Sequence, residues 1–312
     1  MIQISVQTNG PHGPYSLDEA YRIIAEAGFD GVDAGIGRLF PSDDIKDLKR
    51  APVFDGTDAD ICEAVRGWKE GAKKYGIANC QAHAPFPTHR PYQDGEDGYN
   101  AYLMEVLRKT VVATDFIDCR RLVVHPFFHH YTDIEDQQAE WERNVERYSA
   151  LIPVAKQYGV TICLENMFMV DRGHIYAACC TDIGWTCRII DELNRIAGER
   201  VFGFCLDTGH LALCGLDVKN AMTTLGDRIE CFHVHDNDGK NDIHQAPYMG
   251  VQDWNRFIDG LAEIRFNKPM SFETYNIWNT FDKELCPEVM RIIAKTGRMF
   301  AERAEKKMQA FK

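Results

Sequence analysis

Short apolar runs rich in β-branched residues alternate along the chain with longer stretches of helical period. Ile2 to Gln7 reads as a strand, and Ser16-Leu17-Asp18-Glu19 opens a helix with a capping box that runs to about Gly28. Gly31 to Ala34 follows as a second strand. A helix through Ile61 to Tyr75 ends at Gly76, and Ile77 to Ala82 makes a third strand that stops at His83. The fourth strand, Arg121 to Val124, follows a helix from about Ala101 to Phe116 and stops at His125. The fifth, Val160 to Leu164, follows a long amphipathic helix from about Glu135 to Tyr158 and stops at Glu165. A helix near Ile183 to Ala197 precedes Val201 to Leu206, which ends in Asp207-Thr208-Gly209-His210. A helix around Val218 to Leu225 leads to the stretch that opens at Cys231-Phe232 and runs into His233-Val234-His235-Asp236. A helix from about Asp253 to Ile264 leads to the last strand, Met270 to Phe272, ending at Glu273.

Eight strand-helix units with nearly continuous apolar strands predict parallel strands covered by helices and closed as a (β/α)8 barrel, one domain over residues 1–312. An open doubly wound sheet is the alternative; no glycine-rich phosphate loop follows the first strand, which weakens its dinucleotide-binding form. Three connections exceed a simple strand-to-helix turn: Phe86 to Asn100, Phe127 to Ile134 and Met167 to Thr181. Loops of that length in a barrel are expected to shape the site.

The barrel reading changes the meaning of the strand ends. His83, His125, Glu165, Asp207 with His210, His233 with Asp242 and His244, and Glu273 all fall where strands finish, and a barrel gathers those ends on one face. Each alone reads as a capping or hydrogen-bonded residue; together, two Glu, one Asp and several His repel one another unless cations stand among them. Mixed imidazole and carboxylate donors suit Mn, Co, Zn or Fe, with Mg preferring an oxygen shell. His235 points to the same side as His233, with a supporting role as well motivated as ligation.

Composition narrows the partners. Lys and Arg number 35 against 47 Asp and Glu, a net charge of −12 that is ill suited to a phosphate backbone, so no nucleic acid is expected. No apolar run reaches the roughly 18 residues of a membrane span, and the first residues lack the basic and apolar regions of a secretory signal. Eleven scattered cysteines read as buried free thiols of a reducing, cytoplasmic compartment, with Cys179-Cys180 as adjacent small hydrophobes.

Leu164-Glu165-Asn166, Leu206-Asp207-Thr208-Gly209-His210, His233-Val234-His235-Asp236-Asn237-Asp238-Gly239-Lys240 and Phe272-Glu273 resemble the signatures of the xylose-isomerase-like barrels, and the resemblance covers nearly the whole chain. That family includes ketose 3-epimerases, inosose dehydratase, hydroxypyruvate isomerase and the endonuclease IV type of abasic-site nuclease. The resemblance implies one divalent metal, Mn first and Co, Zn, Fe or Mg as alternatives, held by Glu165, Asp207, His233 and Glu273. It implies Glu165 and Glu273 as the proton-transferring pair and His210 as a contact to substrate hydroxyls. His83, His125, His244 and Trp278 complete the expected substrate-binding set. The activity implied is epimerisation or isomerisation of a sugar by proton abstraction beside a carbonyl.

Two alternatives come with it. Loop residues Phe86, Tyr92, Phe127, Phe128, Tyr131, Met167, Phe168, Met169, Tyr176, Tyr248, Tyr275 and Trp278 offer more aromatic and sulfur surface than a free hexose needs, which suits a lyase of the dehydratase or C-glycoside deglycosidase kind. His83, His125, His210, Asp242 and His244 also match ligands of the trinuclear-zinc nucleases; the charge and the absence of their arginine-bearing element stand against that reading. A homo-oligomer is the family expectation, with a second small subunit in the deglycosidase case.

Overall fold

The structure is a computed structural model that describes residues 2–8, 15–91, 98–128 and 137–310, without the side chains of 277–279. Eight parallel strands are hydrogen-bonded as a closed barrel: β1 Ile4–Gln7, β2 Gly31–Ala34, β3 Ala78–His83, β4 Arg121–Val123, β5 Thr161–Glu165, β6 Phe202–Asp207, β7 Ile229–Val234 and β8 Met270–Phe272. Their order is β1-β8-β7-β6-β5-β4-β3-β2. Only barrel closure pairs the first strand with the last, and Ile4 faces Met270 while Val6 faces Phe272.

The chain divides into two compact units, one of residues 1–34, 70–81 and 205–312, the other of 35–69 and 82–204. In the first, the helix Leu17–Ala27 starts at Ser16, whose hydroxyl accepts from the Glu19 amide while the Glu19 carboxylate accepts from the Ser16 amide. The long helix Cys286–Ala310 is tied back to the start of the chain: Arg298 forms a two-pronged pair with Asp30, and Glu305 accepts from the Ile2 amide at 2.8 Å. Residue by residue, the strands β1, β7 and β8 of this unit are buried, as strands enclosed by a ring of helices must be.

In the second unit, the helix Gln137–Tyr158 fixes the segment after β4. Asn144, fully buried, accepts from the Phe127 amide at 2.9 Å and donates to the Phe127 carbonyl at 3.1 Å. Tyr148 donates to the Val124 carbonyl at 2.9 Å.

Departures from the sequence reading are local. The expected helix Ile61 to Tyr75 is two, Asp58–Ala64 and Arg66–Tyr75, because the first ends at Val65 and the second begins at once. The connection Met167 to Thr181 contains an antiparallel hairpin, Phe168–Asp171 with His174–Ala177. His210, at the end of the sixth strand in the sequence, lies in a short helix, Thr208–Leu213. All eleven cysteines are free thiols; Cys179 and Cys180 place their sulfurs 3.9 Å apart.

Candidate active site

Four strands of the first unit bring their ends together. Asp207 closes β6, and its side chain does two jobs because β6 passes directly into the helix Thr208–Leu213. Oδ1 caps that helix by accepting from the His210 amide at 2.7 Å. Oδ2 accepts from His235 Nε2 at 3.0 Å. Thr208 steadies the crossing, its hydroxyl donating to the His235 carbonyl at 2.9 Å.

His233, wholly buried on β7, is the centre of this group. Its Nε2 lies 3.1 Å from Asp33 Oδ2 at the end of β2. A carboxylate only accepts, so Nε2 carries the proton, and in the neutral ring Nδ1 presents its lone pair. Nδ1 points at two further carboxylate oxygens, Glu273 Oε2 at 3.4 Å and Asp207 Oδ2 at 3.9 Å. One nitrogen cannot satisfy both, and three electron-rich atoms aimed at one another are stable only with positive charge among them. Donors about 2.0–2.2 Å from a divalent ion stand roughly 3–3.6 Å from each other; the Glu273 oxygen falls in that range and the Asp207 oxygen lies a little beyond it.

A second cluster adjoins it in the same unit. Asp242 Oδ2 lies 2.9 Å from His244 Nε2 and 3.6 Å from His210 Nε2, while Asp242 Oδ1 lies 3.9 Å from His235 Nε2. His244 stacks on His235 with ring centroids 4.0 Å apart, and its Nδ1 donates to the Glu273 carbonyl at 3.0 Å. Asp207, His210 and His235, and likewise His235, His244 and Glu273, offer donor atoms all within 4.8 Å. Burial opposes a charge on His244, yet Glu273, the hydrogen-bonded Asp242 and Asp207 outweigh it, and the imidazolium is held up to about 9. Burial likewise opposes ionisation of Asp242, but His210 and His244 hold its carboxyl well below the usual range. Burial, reinforced by Glu273 and Asp242, pushes the Tyr275 phenol well above its ordinary value.

In the second unit Glu165, buried at the end of β5, faces two imidazoles: His125 Nε2 at 3.2 Å and His83 Nε2 at 3.7 Å from Oε2. Phe86 stacks on His125 at 4.6 Å and meets His83 edge-on at 5.3 Å.

A family model described as xylose isomerase-like TIM barrel matches residues 21–295. The chain belongs to that family. Among its relatives, the D-psicose 3-epimerase of Ruminiclostridium cellulolyticum is 26% identical over 145 residues, 46% of this chain and 45% of that one. Two solved structures share the fold over almost their whole length. A D-tagatose 3-epimerase-like protein has a TM-score of 0.69 and 19% identity, covering 98% of this chain and 99% of that one. IolI protein with a bound zinc atom has a TM-score of 0.68 and 16% identity, covering 98% and 99%.

Not every expected site residue takes part. Trp278 lies in the helix Tyr275–Thr280, and its side chain falls outside the described residues, as do Tyr92 and Tyr131. Phe127, Phe128 and Met167 are buried in packing and present little face to a ligand; Phe86, Tyr176 and Tyr248 are exposed. Asp236, at the end of the imidazole-rich stretch, is a structural anchor: it accepts from the Asn237 and Gln252 amides and from the Trp254 indole. Sequence reasoning passed over Gln7 and Asp33, which stand against Glu273 and His233. Their signal was a polar residue at the inward end of an apolar strand, the same signal that marked the histidines.

Proposed function

We propose that this chain is a divalent-metal-dependent sugar epimerase or isomerase, and that Glu165, Asp207, His233 and Glu273 hold the metal. The observation that carries the reading is the Nδ1 of His233, fixed from behind by Asp33 and faced by oxygens of Asp207 and Glu273. Glu165 supplies the fourth donor from β5, the strand next to β6 in the barrel order. A divalent ion held by these residues would supply Lewis-acid polarisation of a ketone and its neighbouring hydroxyl. Glu165 and Glu273 are the pair that removes a proton from the carbon beside the ketone and returns it. Return to the same carbon epimerises the sugar, and return to the neighbouring carbon isomerises it. Gln7 donates to Glu273 Oε1 at 2.8 Å, which leaves Oε2 facing His233 Nδ1. His210, backed by Asp242, orients a substrate hydroxyl, with His83, His125 and His244 as further substrate contacts. Manganese is the expected ion. The epimerase relatives and the zinc-bearing IolI fold support the reading.

The test is metal content by plasma mass spectrometry on protein purified without chelator or tag metal, followed by a panel of ketoses in D2O. The expected result is about one Mn, Co, Fe or Zn per chain, deuterium in the product, and loss of kcat by about 10²–10⁴ in E165Q and E273Q. Metal-replete protein that incorporates no deuterium into any ketose or keto-glycoside would overturn it. About three zinc ions per chain would move the assignment to phosphodiester hydrolysis.

One observation favours a lyase on a glycoside as the second reading: Phe86 is 42% exposed while stacked on His125, an aromatic face open to an aglycone. On that reading F86A loses kcat/KM for an aryl C-glycoside derivative and keeps it for a free ketose.

A further inference from the structure

Two polar side chains inside the barrel take no place in the ligand set just proposed, yet each touches one member of it. Gln7, 4% exposed at the end of β1, donates from Nε2 to Glu273 Oε1 at 2.8 Å. Asp33, wholly buried at β2, accepts at Oδ2 from His233 Nε2 at 3.1 Å. A third, Gln81 on β3, wholly buried, donates from Nε2 to the same Asp33 oxygen at 2.9 Å. Each of the first two keeps one oxygen, Gln7 Oε1 and Asp33 Oδ1, buried without a hydrogen-bond partner. Leucine or methionine would fill these positions without that cost, so stability alone does not account for them.

We infer that Asp33 and Gln7 are positioning residues for the metal centre, Asp33 selecting which nitrogen of His233 faces the ion and Gln7 which oxygen of Glu273 does, with Gln81 holding Asp33 in place. The inference rests on the proposed metal site. Hydrogen-bonding the remote nitrogen of a ligating histidine to a carboxylate fixes the ring, fixes the tautomer and raises donor basicity. With Asp33 on Nε2, the lone pair of His233 can only be at Nδ1, the atom that faces Asp207 and Glu273. Gln7 acts on Glu273 in the same sense: with Oε1 engaged, the carboxylate cannot rotate its second oxygen away from His233. The tie is short because β1 pairs with β8, so Gln7 reaches Glu273 directly from the neighbouring strand.

The test compares the full-length wild type with D33N, Q81M and Q7L, using Co²⁺ alone as the probe. Metal dissociation constants come from chelator competition, the ligand field from the visible Co²⁺ spectrum, and fold integrity from the melting temperature without metal. D33N keeps the shape of the side chain, so packing is retained while the charge is lost. The expected result is Co²⁺ affinity weakened about 10–100-fold in D33N, with a changed spectrum and a melting temperature close to that of the wild type. Q81M is expected to show a smaller loss of the same kind, which covers the case of an unfolded D33N. Q7L is expected to lower kcat far more than it raises KM, because Glu273 is the group it releases. Wild-type affinity and spectrum in both D33N and Q81M would overturn the inference, and so would a wild type that binds no Co²⁺. If the variants weaken Co²⁺ binding but the wild type exchanges no deuterium into any ketose, the positioning role stands and the sugar reading falls.

Discussion

A methyl group added at Gly209 would stand 1.9 Å from Cε1 of His235 and 2.6 Å from its Nε2. No such contact is tolerated, so the imidazole must leave Asp207 Oδ2, its partner at 3.0 Å. G209A should therefore weaken metal binding by about 10–100-fold although alanine is the better helix former at that position; chelator competition measures it. Unchanged affinity would show that His235 does not hold Asp207. At this scale the sequence was legible where a strand ended in a charged or imidazole side chain. Asp207, His233 and Glu273 stand together as strand ends in a barrel must. Gln7 and Asp33 were not singled out because each falls inside a run already explained as strand, and nothing local says that its side chain meets a histidine or glutamate more than 190 residues away.

The helix Gln137–Tyr158 carries a clamp that sequence periodicity does not disclose. Asn144 closes a paired hydrogen bond on Phe127, and N144L would strand the buried amide and leave the carbonyl with Arg143 at 3.3 Å. We expect a loss of about 2–4 kcal/mol, read from denaturant unfolding, with little change in slope. One turn earlier, burial raises the Glu140 carboxyl above its ordinary value, against a smaller opposing hydrogen bond from Cys179. A carboxyl with a raised folded pKa favours the folded state fully below its unfolded value and loses that advantage as pH rises through the folded one. E140Q should therefore gain melting temperature relative to the wild type at pH 8 and show no gain at pH 4. The hairpin Phe168–Ala177 was the element least legible beforehand, since its strands are only four residues each and half exposed. Arg172-Gly173 occupies the turn with φ of 49° and 78°, the left-handed pair that a two-residue hairpin requires.

For the whole molecule, the eightfold alternation of apolar strands and amphipathic helices was enough to specify the barrel, because a parallel sheet needs helices on its outer face and closure removes its edges. Among the described residues, no helix is long and apolar enough to cross a membrane. On the proposed function, an ion that offsets the site's carboxylates in a chain of net charge −12 would bind only the native state. Manganese at about 100 times its dissociation constant should thus add about 2.7 kcal/mol of stability. In differential scanning this appears as a rise of several degrees over the EDTA-treated protein. The rise should shrink below about pH 6, where the ligands take up protons. Equal melting temperatures with and without metal at pH 7.5 would mean that no ion is part of this fold.

Asp207 closes a strand, caps the next helix and offers an oxygen to the ligand set, all with one carboxylate. Asparagine caps a helix as well as aspartate does, but it lacks the anionic oxygen. Codons for the two differ by a single base. On the proposed function, a lineage carrying this architecture stands one mutation from a folded chain without that ligand, and a gene copy reading Asn-Thr-Gly-His in place of Asp207-Thr208-Gly209-His210 would be recognisable as one that keeps the fold and gives up the ion.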